Sequence, residues 1–143
     1  MVNKMKFNWF WQAVISMVFF SAVTLLFKVL VDTKLKSEII NFYFFLFTTL
    51  GFLGFLLFRE TTLKIPLNTL PTFGLLTLVA LVANYYGLKA LAAAPNPGYV
   101  SSIQEFKAVI VLIAAVFLFN SELSFTKGLG ILFCFIGIIL LSL

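Results

Sequence analysis

The chain has 143 residues, of which 62% are hydrophobic and only 10% are charged. A soluble domain is about half apolar and about a quarter charged, so this composition favours an integral membrane protein over a soluble enzyme. The net charge is +5, yet the lysines fall between apolar runs instead of forming one patch. We therefore expect them to anchor helix ends at lipid head groups, and we expect no nucleic-acid partner.

The N-terminal residues MVNKMKFNWFWQ begin with positive charge, as secretory signal peptides do. The apolar stretch after them is much longer than the roughly 7–15 apolar residues of a signal peptide, and no small-residue cleavage site follows it. We interpret this region as a retained first membrane helix.

Five apolar segments meet or approach the length of about 20 residues that a membrane helix needs. The breaks between them carry charged and polar residues or prolines. Alternation of the type found in membrane β-barrels is absent from the sequence. The sequence therefore predicts an all-α integral membrane protein with five transmembrane helices, in a single membrane domain over residues 1–143. The predicted helices cover residues 9–31, 39–58, 70–93, 98–119 and 125–143.

Five crossings would place the two termini on opposite sides of the membrane. Five basic residues then fall on the N-terminal side and four on the other, while Lys107 lies inside a helix. Positive residues favour the cytoplasmic side, so the count favours a cytoplasmic N-terminus in a multi-pass protein of the cell membrane. Because the count is nearly balanced, insertion in both orientations and an antiparallel homodimer form a second hypothesis.

The last part of the chain, GLKALAAAPNPGYVSSIQEFKAVIVLIAAVFLFNSELSFTKGLGILFCFIGIILLSL, has a distinctive order of features. A helix ending in small residues is followed by a Pro/Gly break, a second helix, an acid-Leu-Ser turn at residues 122–124 and a last helix punctuated by glycines. This pattern resembles the EamA-like domain of the drug/metabolite transporter superfamily. The resemblance implies a five-helix half-transporter bundle. Larger members carry two such units in inverted orientation, so a chain with one unit implies a homodimer or a partner half.

Three small residues of the last predicted helix, Gly130, Cys134 and Gly137, follow the spacing i, i+4, i+7 and share one helix face. Small residues let membrane helices approach closely. The related small multidrug resistance transporters dimerise through a similarly spaced glycine pair, so the resemblance implies a dimer seam here. Packing within one subunit is the open alternative.

Two charges lie well inside the fourth predicted helix. Glu105 is about 10 Å into that helix and Lys107 about 3 Å deeper, from the rise per residue. Charges at such depth cost about 2.5–3.5 kcal/mol each on insertion scales and tend to face a cavity or the bundle interior. In a regular α-helix the two positions project about 160° apart. The sequence therefore predicts that they do not pair within their own helix.

The face that carries Glu105 also carries Ser101 and Gln104, and we predict that it lines a solute-binding cavity with Lys107 at its flank. A structural role, in which Glu105 locks two helices together, is the alternative. An acid and a base in one site suit a zwitterionic metabolite such as an amino acid, or a polar neutral one. A carboxylate at this depth is also suited to exchange a bound proton for a cationic ligand.

A second polar cluster, Asn84, Tyr85, Tyr86 and Lys89, lies near the end of the third predicted helix. We include Asn84 and Tyr85 among the substrate-binding candidates. An interfacial aromatic belt is the alternative for the tyrosines, and an interhelical hydrogen bond is the alternative for Asn84.

Other site classes find no support in the sequence. There is one cysteine and no histidine, which predicts no metal site, and there is no phosphate-binding loop or activated nucleophile, which predicts no cofactor and no enzyme activity. The prediction is a secondary-type transporter of a small organic solute that works by alternating access, as a dimer and with proton coupling as a further option. A lipid-linked sugar flippase subunit and a non-transporting scaffold or accessory subunit are the alternatives.

Overall fold

The computed structural model describes residues 2–61, 63–120 and 124–142, and within these it leaves out the side chains of residues 2–9, 127, 134, 138, 141 and 142. All regular structure in the described residues is helical, with a single 3₁₀ turn at Leu67–Thr69. The α-helices are α1 (Val2–Asp32), α2 (Ser37–Phe58), α3 (Leu70–Ala93), α4 (Pro97–Glu105), α5 (Lys107–Phe119) and α6 (Phe125–Ser142).

Four helical segments in the described part of the chain are long and apolar enough to cross a membrane: Phe10–Asp32, Ser37–Phe58, Leu67–Ala93 and Pro97–Phe119. The all-α membrane architecture is therefore confirmed for four spans. The fifth predicted span is not confirmed, because the apolar part of α6 is a shorter stretch at Gly128–Gly137. A fifth crossing remains a prediction.

Most helix bounds lie within two residues of the predicted ones, and two differences are larger. α1 begins at Val2, well before the predicted start at residue 9, because the polar residues ahead of the apolar run include no helix breaker. The fourth predicted helix is divided, because α4 ends at Glu105 and α5 begins at Lys107.

Local sequence explains where several helices begin and end. Asn96 caps α4 by accepting a hydrogen bond from the Gly98 amide at 2.8 Å, and Pro97 occupies the first helical turn, where no amide donor is needed. α2 ends in a Schellman motif, in which the Thr61 amide donates to the Leu56 carbonyl and the Glu60 amide to the Leu57 carbonyl.

The chain forms two compact units, Met1–Ala93 and Ala94–Leu143, which we call the N-terminal and C-terminal units. The N-terminal unit contains α1 to α3, and the C-terminal unit contains α4 to α6. The interpretation of residues 1–143 as one membrane domain stays a prediction.

Buried side chains of the N-terminal unit concentrate at one end, where α1 ends, α2 begins and α3 ends. Val31, Ile40, Asn41, Leu88 and Leu91 are all buried there. Most other large apolar side chains are exposed, as expected of helices whose solvent is lipid. This packed end fixes the start of α2 against the end of α3.

Candidate functional site

The junction between α4 and α5 interrupts a membrane-spanning segment at Phe106. Hydrogen bonds of the 3₁₀ type replace the regular helical ones there, with the Phe106 amide donating to the Ile103 carbonyl at 3.1 Å and the Val109 amide to the Phe106 carbonyl at 3.0 Å. The Phe106 ring packs on Phe135 of α6, with 5.1 Å between ring centroids. Short 3₁₀ stretches inside a helix often mark functional hinges.

Glu105 and Lys107 form an ion pair across this junction, with 3.2 Å between Glu105 Oε1 and Lys107 Nζ. The prediction that they do not pair is therefore wrong. It assumed a regular α-helix, in which the two side chains diverge by about 160°. The 3₁₀ geometry turns the chain by about 120° per residue and reduces this divergence to about 120°, and the long lysine side chain spans the rest.

Both members of the pair are about two-thirds exposed on the C-terminal unit, at 67% for the glutamate side chain and 68% for the lysine side chain. Ser101 is half-buried and Gln104 is exposed, and no side-chain hydrogen bond joins either to another described residue. The four predicted residues thus lie on α4 and at its junction with α5. Charges at membrane depth are stable only where water, another polypeptide or a ligand covers them.

The remaining predicted site residues lie in the N-terminal unit, near the end of α3. The Asn84 side chain donates to the Ala80 carbonyl of its own helix at 2.9 Å, whereas the alternative interpretation expected a hydrogen bond to another helix. The Lys89 ammonium lies over the Tyr85 ring, 4.6 Å from its centroid. Tyr85 therefore already serves as the binding face for a cation.

A groove of about 1030 Å³ separates α2 from α3 and is lined mostly by apolar and aromatic side chains. Its polar lining includes Glu38, Asn41, Tyr85 and Tyr86 at the packed end of the unit. A smaller cavity of about 320 Å³ continues along α2 toward Leu63. A ligand in the groove would contact a polar end and a long apolar wall.

Asn41 is the polar residue in this groove that the sequence interpretation missed. It is 7% exposed, and its side-chain carbonyl oxygen is buried without a hydrogen-bond partner among the described residues. Leaving such a group unpaired costs about 1–3 kcal/mol, so native proteins rarely keep one without a reason. An asparagine inside the apolar run IINFYFFLF is the sequence signal that could have found it.

Glu38 lines the same groove, three residues before Asn41 on α2. Residues three apart share a helix face, so the carboxylate and the Asn41 amide neighbour each other. Glu38 and Lys89 interact electrostatically, but among the described side chains no hydrogen bond or ion pair within 4 Å engages the Glu38 carboxylate. The polar end of the groove therefore presents an exposed carboxylate and a buried amide carbonyl, neither of which has a donor among the described side chains.

The described part of the chain contains no group of three or more His, Cys, Asp or Glu residues that could hold a metal ion. Of the predicted packing seam, Gly130 and Gly137 lie on α6 with open space where a β-carbon would stand. The Cys134 side chain lies outside the described residues, as do Glu122 and Leu123 of the acid-Leu-Ser turn. The role of the seam stays a prediction.

The sequence profile of the EamA-like transporter family matches residues 7–143, nearly the whole chain. The protein belongs to the EamA-like transporter family. The resemblance in the last two predicted helices is thereby confirmed, and the match extends over α1 to α3 as well. Neither the curated proteins nor the solved structures include a match to this chain.

Membership of the EamA-like family, together with four membrane-capable helices, makes this a multi-pass membrane protein of a transporter family for small solutes. The family is generally non-enzymatic.

Proposed function

We propose that this EamA-like protein is one half of a secondary transporter for a small organic solute, that two copies form the working dimer, and that the solute crosses by alternating access. The observation that carries the proposal is the Glu105–Lys107 ion pair at the α4–α5 break. Secondary transporters commonly bind their solutes where a membrane helix is discontinuous, near the middle of the bilayer.

The depth of the break supports this role. Glu105 is eight residues beyond Pro97, the start of α4, which corresponds to about 12 Å of helix rise. α5 continues for 13 residues on the other side, or about 20 Å. The break thus lies nearer the middle of the span than its ends. A charged pair near the middle of the bilayer needs contact with water or a polar ligand.

The chemistry of the pair indicates the class of solute. A carboxylate next to an ammonium offers an acceptor to one end of a zwitterion and a donor to the other, as an amino acid requires. We further propose that protonation of Glu105 couples transport to the proton gradient, because the proton would release Lys107 from the pair. Gln104 and Ser101 have no side-chain partners among the described residues and supply neutral hydrogen-bonding groups beside it.

The family match and the charge distribution support the proposed dimer and its orientation. The chain holds one family unit, matched over residues 7–143, and its basic residues are divided almost evenly between the two sides predicted for five crossings. An antiparallel dimer would reproduce the inverted pair of units that the resemblance implies for longer chains. Reporter fusions at both termini test this, and a strictly one-sided result would contradict the antiparallel arrangement.

Transport is tested in proteoliposomes loaded with unlabelled amino acids, by counterflow of a ¹⁴C-labelled amino-acid mixture with and without a pH gradient. We expect saturable uptake, loss of the pH-gradient response in Glu105→Gln, and strongly reduced uptake in Lys107→Gln. Glu60→Gln and Lys64→Gln are matched controls, because both residues lie exposed in the α2–α3 connection. Equal uptake and equal pH response in all four variants would refute the role of the pair.

The alternatives make different predictions. A non-transporting scaffold is expected to be a dry, fully packed bundle, and the groove between α2 and α3 supports a ligand-handling protein instead. A flippase for lipid-linked sugars requires a site for a phosphate, whereas the polar end of this groove offers Glu38 and an unpaired Asn41 carbonyl. Neither alternative gains support from these residues.

A further inference from the structure

We propose that the groove between α2 and α3 binds a primary amine that carries an aromatic or aliphatic apolar body. The ammonium would donate hydrogen bonds to Glu38 and Asn41, and the body would lie along the apolar wall. This inference concerns equilibrium binding in the N-terminal unit, so it goes beyond the proposed transport function and does not depend on Glu105 or Lys107.

The unpaired groups at the polar end determine the head group of the ligand. Asn41 is 93% buried and its carbonyl oxygen has no donor within the described chain. The Glu38 carboxylate, on an exposed residue in the first turn of α2, likewise has no hydrogen bond or ion pair there. A ligand group that engages both acceptors needs at least two N–H or O–H donors, and a carboxylate partner favours one with positive charge. A primary ammonium has three donors and one positive charge.

Charged side chains lie near the polar end of the groove on both helices that form it. Glu38 is the only described lining residue whose side chain is charged at neutral pH. Lys89 on α3 interacts electrostatically with Glu38, but its ammonium is directed onto the Tyr85 ring at 4.6 Å, and it makes no ion pair with Glu38 in the described structure. An anionic head group would meet Glu38 without a compensating cation in the lining.

The walls of the groove determine the body of the ligand. Phe42, Phe45, Tyr85 and Tyr86 contribute aromatic surface, and Phe42 and Tyr86 are 62% and 65% exposed. Aromatic faces attract ammonium groups, and the contact between Lys89 and Tyr85 shows that a face at this end of the groove already receives one. The volume of about 1030 Å³ accommodates a ligand the size of tryptamine with space remaining.

The test is equilibrium binding of tritiated tryptamine to the full-length protein in phosphatidylcholine nanodiscs. We expect saturable binding that unlabelled tryptamine displaces. N,N,N-Trimethyltryptammonium keeps the charge and the indole but has no ammonium N–H, so we expect it to compete at least about tenfold more weakly. Indole-3-propionate, which carries a carboxylate instead, is expected not to compete.

Variants connect the binding to the two acceptors. We expect Glu38→Gln and Asn41→Leu each to weaken tryptamine binding by about tenfold or more, while Glu60→Gln and Asn68→Leu, at exposed positions of the α2–α3 connection, leave it unchanged. Lys89→Gln removes a competing cation and is expected to tighten binding. Thermal unfolding of each variant in the same nanodiscs separates loss of the site from loss of the fold.

Three results would overturn the proposal: equal competition by the trimethyl compound, unchanged binding in both Glu38→Gln and Asn41→Leu, or a groove that retains a phospholipid which tryptamine does not displace. The double variant Glu105→Gln/Lys107→Gln is expected to bind tryptamine normally. Failure of amino-acid counterflow with intact tryptamine binding would therefore count against the transport proposal alone.

Discussion

The α4–α5 break and the α2–α3 groove both place polar groups inside membrane-spanning segments, yet they satisfy those groups differently. At the break, Glu105 and Lys107 neutralise each other across one residue, at 3.2 Å. In the groove, Glu38 and Asn41 share a helix face and find no donor in the described chain. The charges at the break are satisfied by each other, whereas the acceptors in the groove have no hydrogen-bond donor from the described chain.

The difference reflects the cost of leaving each kind of group alone. Two unpaired charges in hydrocarbon are more expensive than one unpaired amide carbonyl. The chain departs from regular helix geometry at Phe106, between the two charges, but keeps α2 regular at Asn41. An unpaired neutral acceptor such as Asn41 can lie inside a span at lower cost than an unpaired ion, and the one carboxylate of the groove, Glu38, lies on an exposed residue in the first turn of α2.

The largest effect we predict comes from breaking the pair at α4–α5. In Glu105→Gln the ammonium of Lys107 remains alone at membrane depth, and in Lys107→Gln the carboxylate does. We expect each single variant to lose stability, by no more than the insertion cost of about 2.5–3.5 kcal/mol per charge. The double variant carries neither charge, so we expect it to recover most of that loss. Unfolding titrations with SDS in mixed micelles measure all three.

The same three variants distinguish neutralisation from transport. If the pair only neutralises itself, the double variant regains transport together with stability. We expect it to regain stability and remain inactive in amino-acid counterflow. Additive losses of stability in the double variant would contradict the ion pair as an energetic unit.

A smaller effect of opposite sign is predicted for the groove. Asn41→Leu replaces an unpaired buried amide with an apolar side chain of similar size, which removes a penalty of about 1–3 kcal/mol. We expect higher stability in the ligand-free protein together with weaker tryptamine binding. This trade-off between stability and activity is typical of residues that serve a function. Stability is measured by the same SDS titration.

Asn84→Leu is the matched stability control, because its amide already donates to the Ala80 carbonyl on the same helix. We expect a smaller gain in stability there than at Asn41. A loss of stability in Asn41→Leu would mean that the Asn41 carbonyl has a structural partner, and the contrast between groove and break would then disappear.

The sequence was sufficient for the features that depend on composition and length. Apolar runs of about 20 residues were sufficient to locate four spans, because the thickness of the bilayer core requires helices of about that length. α3 begins and ends where it was predicted. The acid and base at 105 and 107 stood out as the rare charges in such a run.

Features that depend on geometry and packing were not predictable in this way. The Glu105–Lys107 pair requires 3₁₀ bonds around Phe106, and nothing in the residue types at 104–107 encodes a break of the helix. Asn41 is buried where α2 packs against α3, at the same end as the buried Ile40, Leu88 and Leu91, and a single sequence does not reveal such packing between helices. α1 began earlier than expected because a helix can outlast its apolar run.

The smallest effect we predict concerns Lys28, another charge within a span, which makes both an ion pair on its own helix and a hydrogen bond to a second helix. Its ammonium pairs with Asp32 one turn away on α1 at 3.0 Å and also donates to the Leu91 carbonyl of α3 at 3.2 Å. That carbonyl belongs to the last turn of α3, where the helix has no amide to offer it and where positive charge is favourable.

We expect Lys28→Met, which keeps the apolar stem, to lower stability by about 1 kcal/mol. Asp32→Asn should cost much less, because the aspartate is 60% exposed at the last residue of α1, where water and head groups screen it, and water-exposed ion pairs contribute little. If Asp32→Asn lowered the free energy of unfolding in SDS titrations as much as Lys28→Met, the ion pair on α1 would hold Lys28 in place, and the hydrogen bond to α3 would not. The packed end of the N-terminal unit would then satisfy its charge as the break does, by an ion pair within one segment.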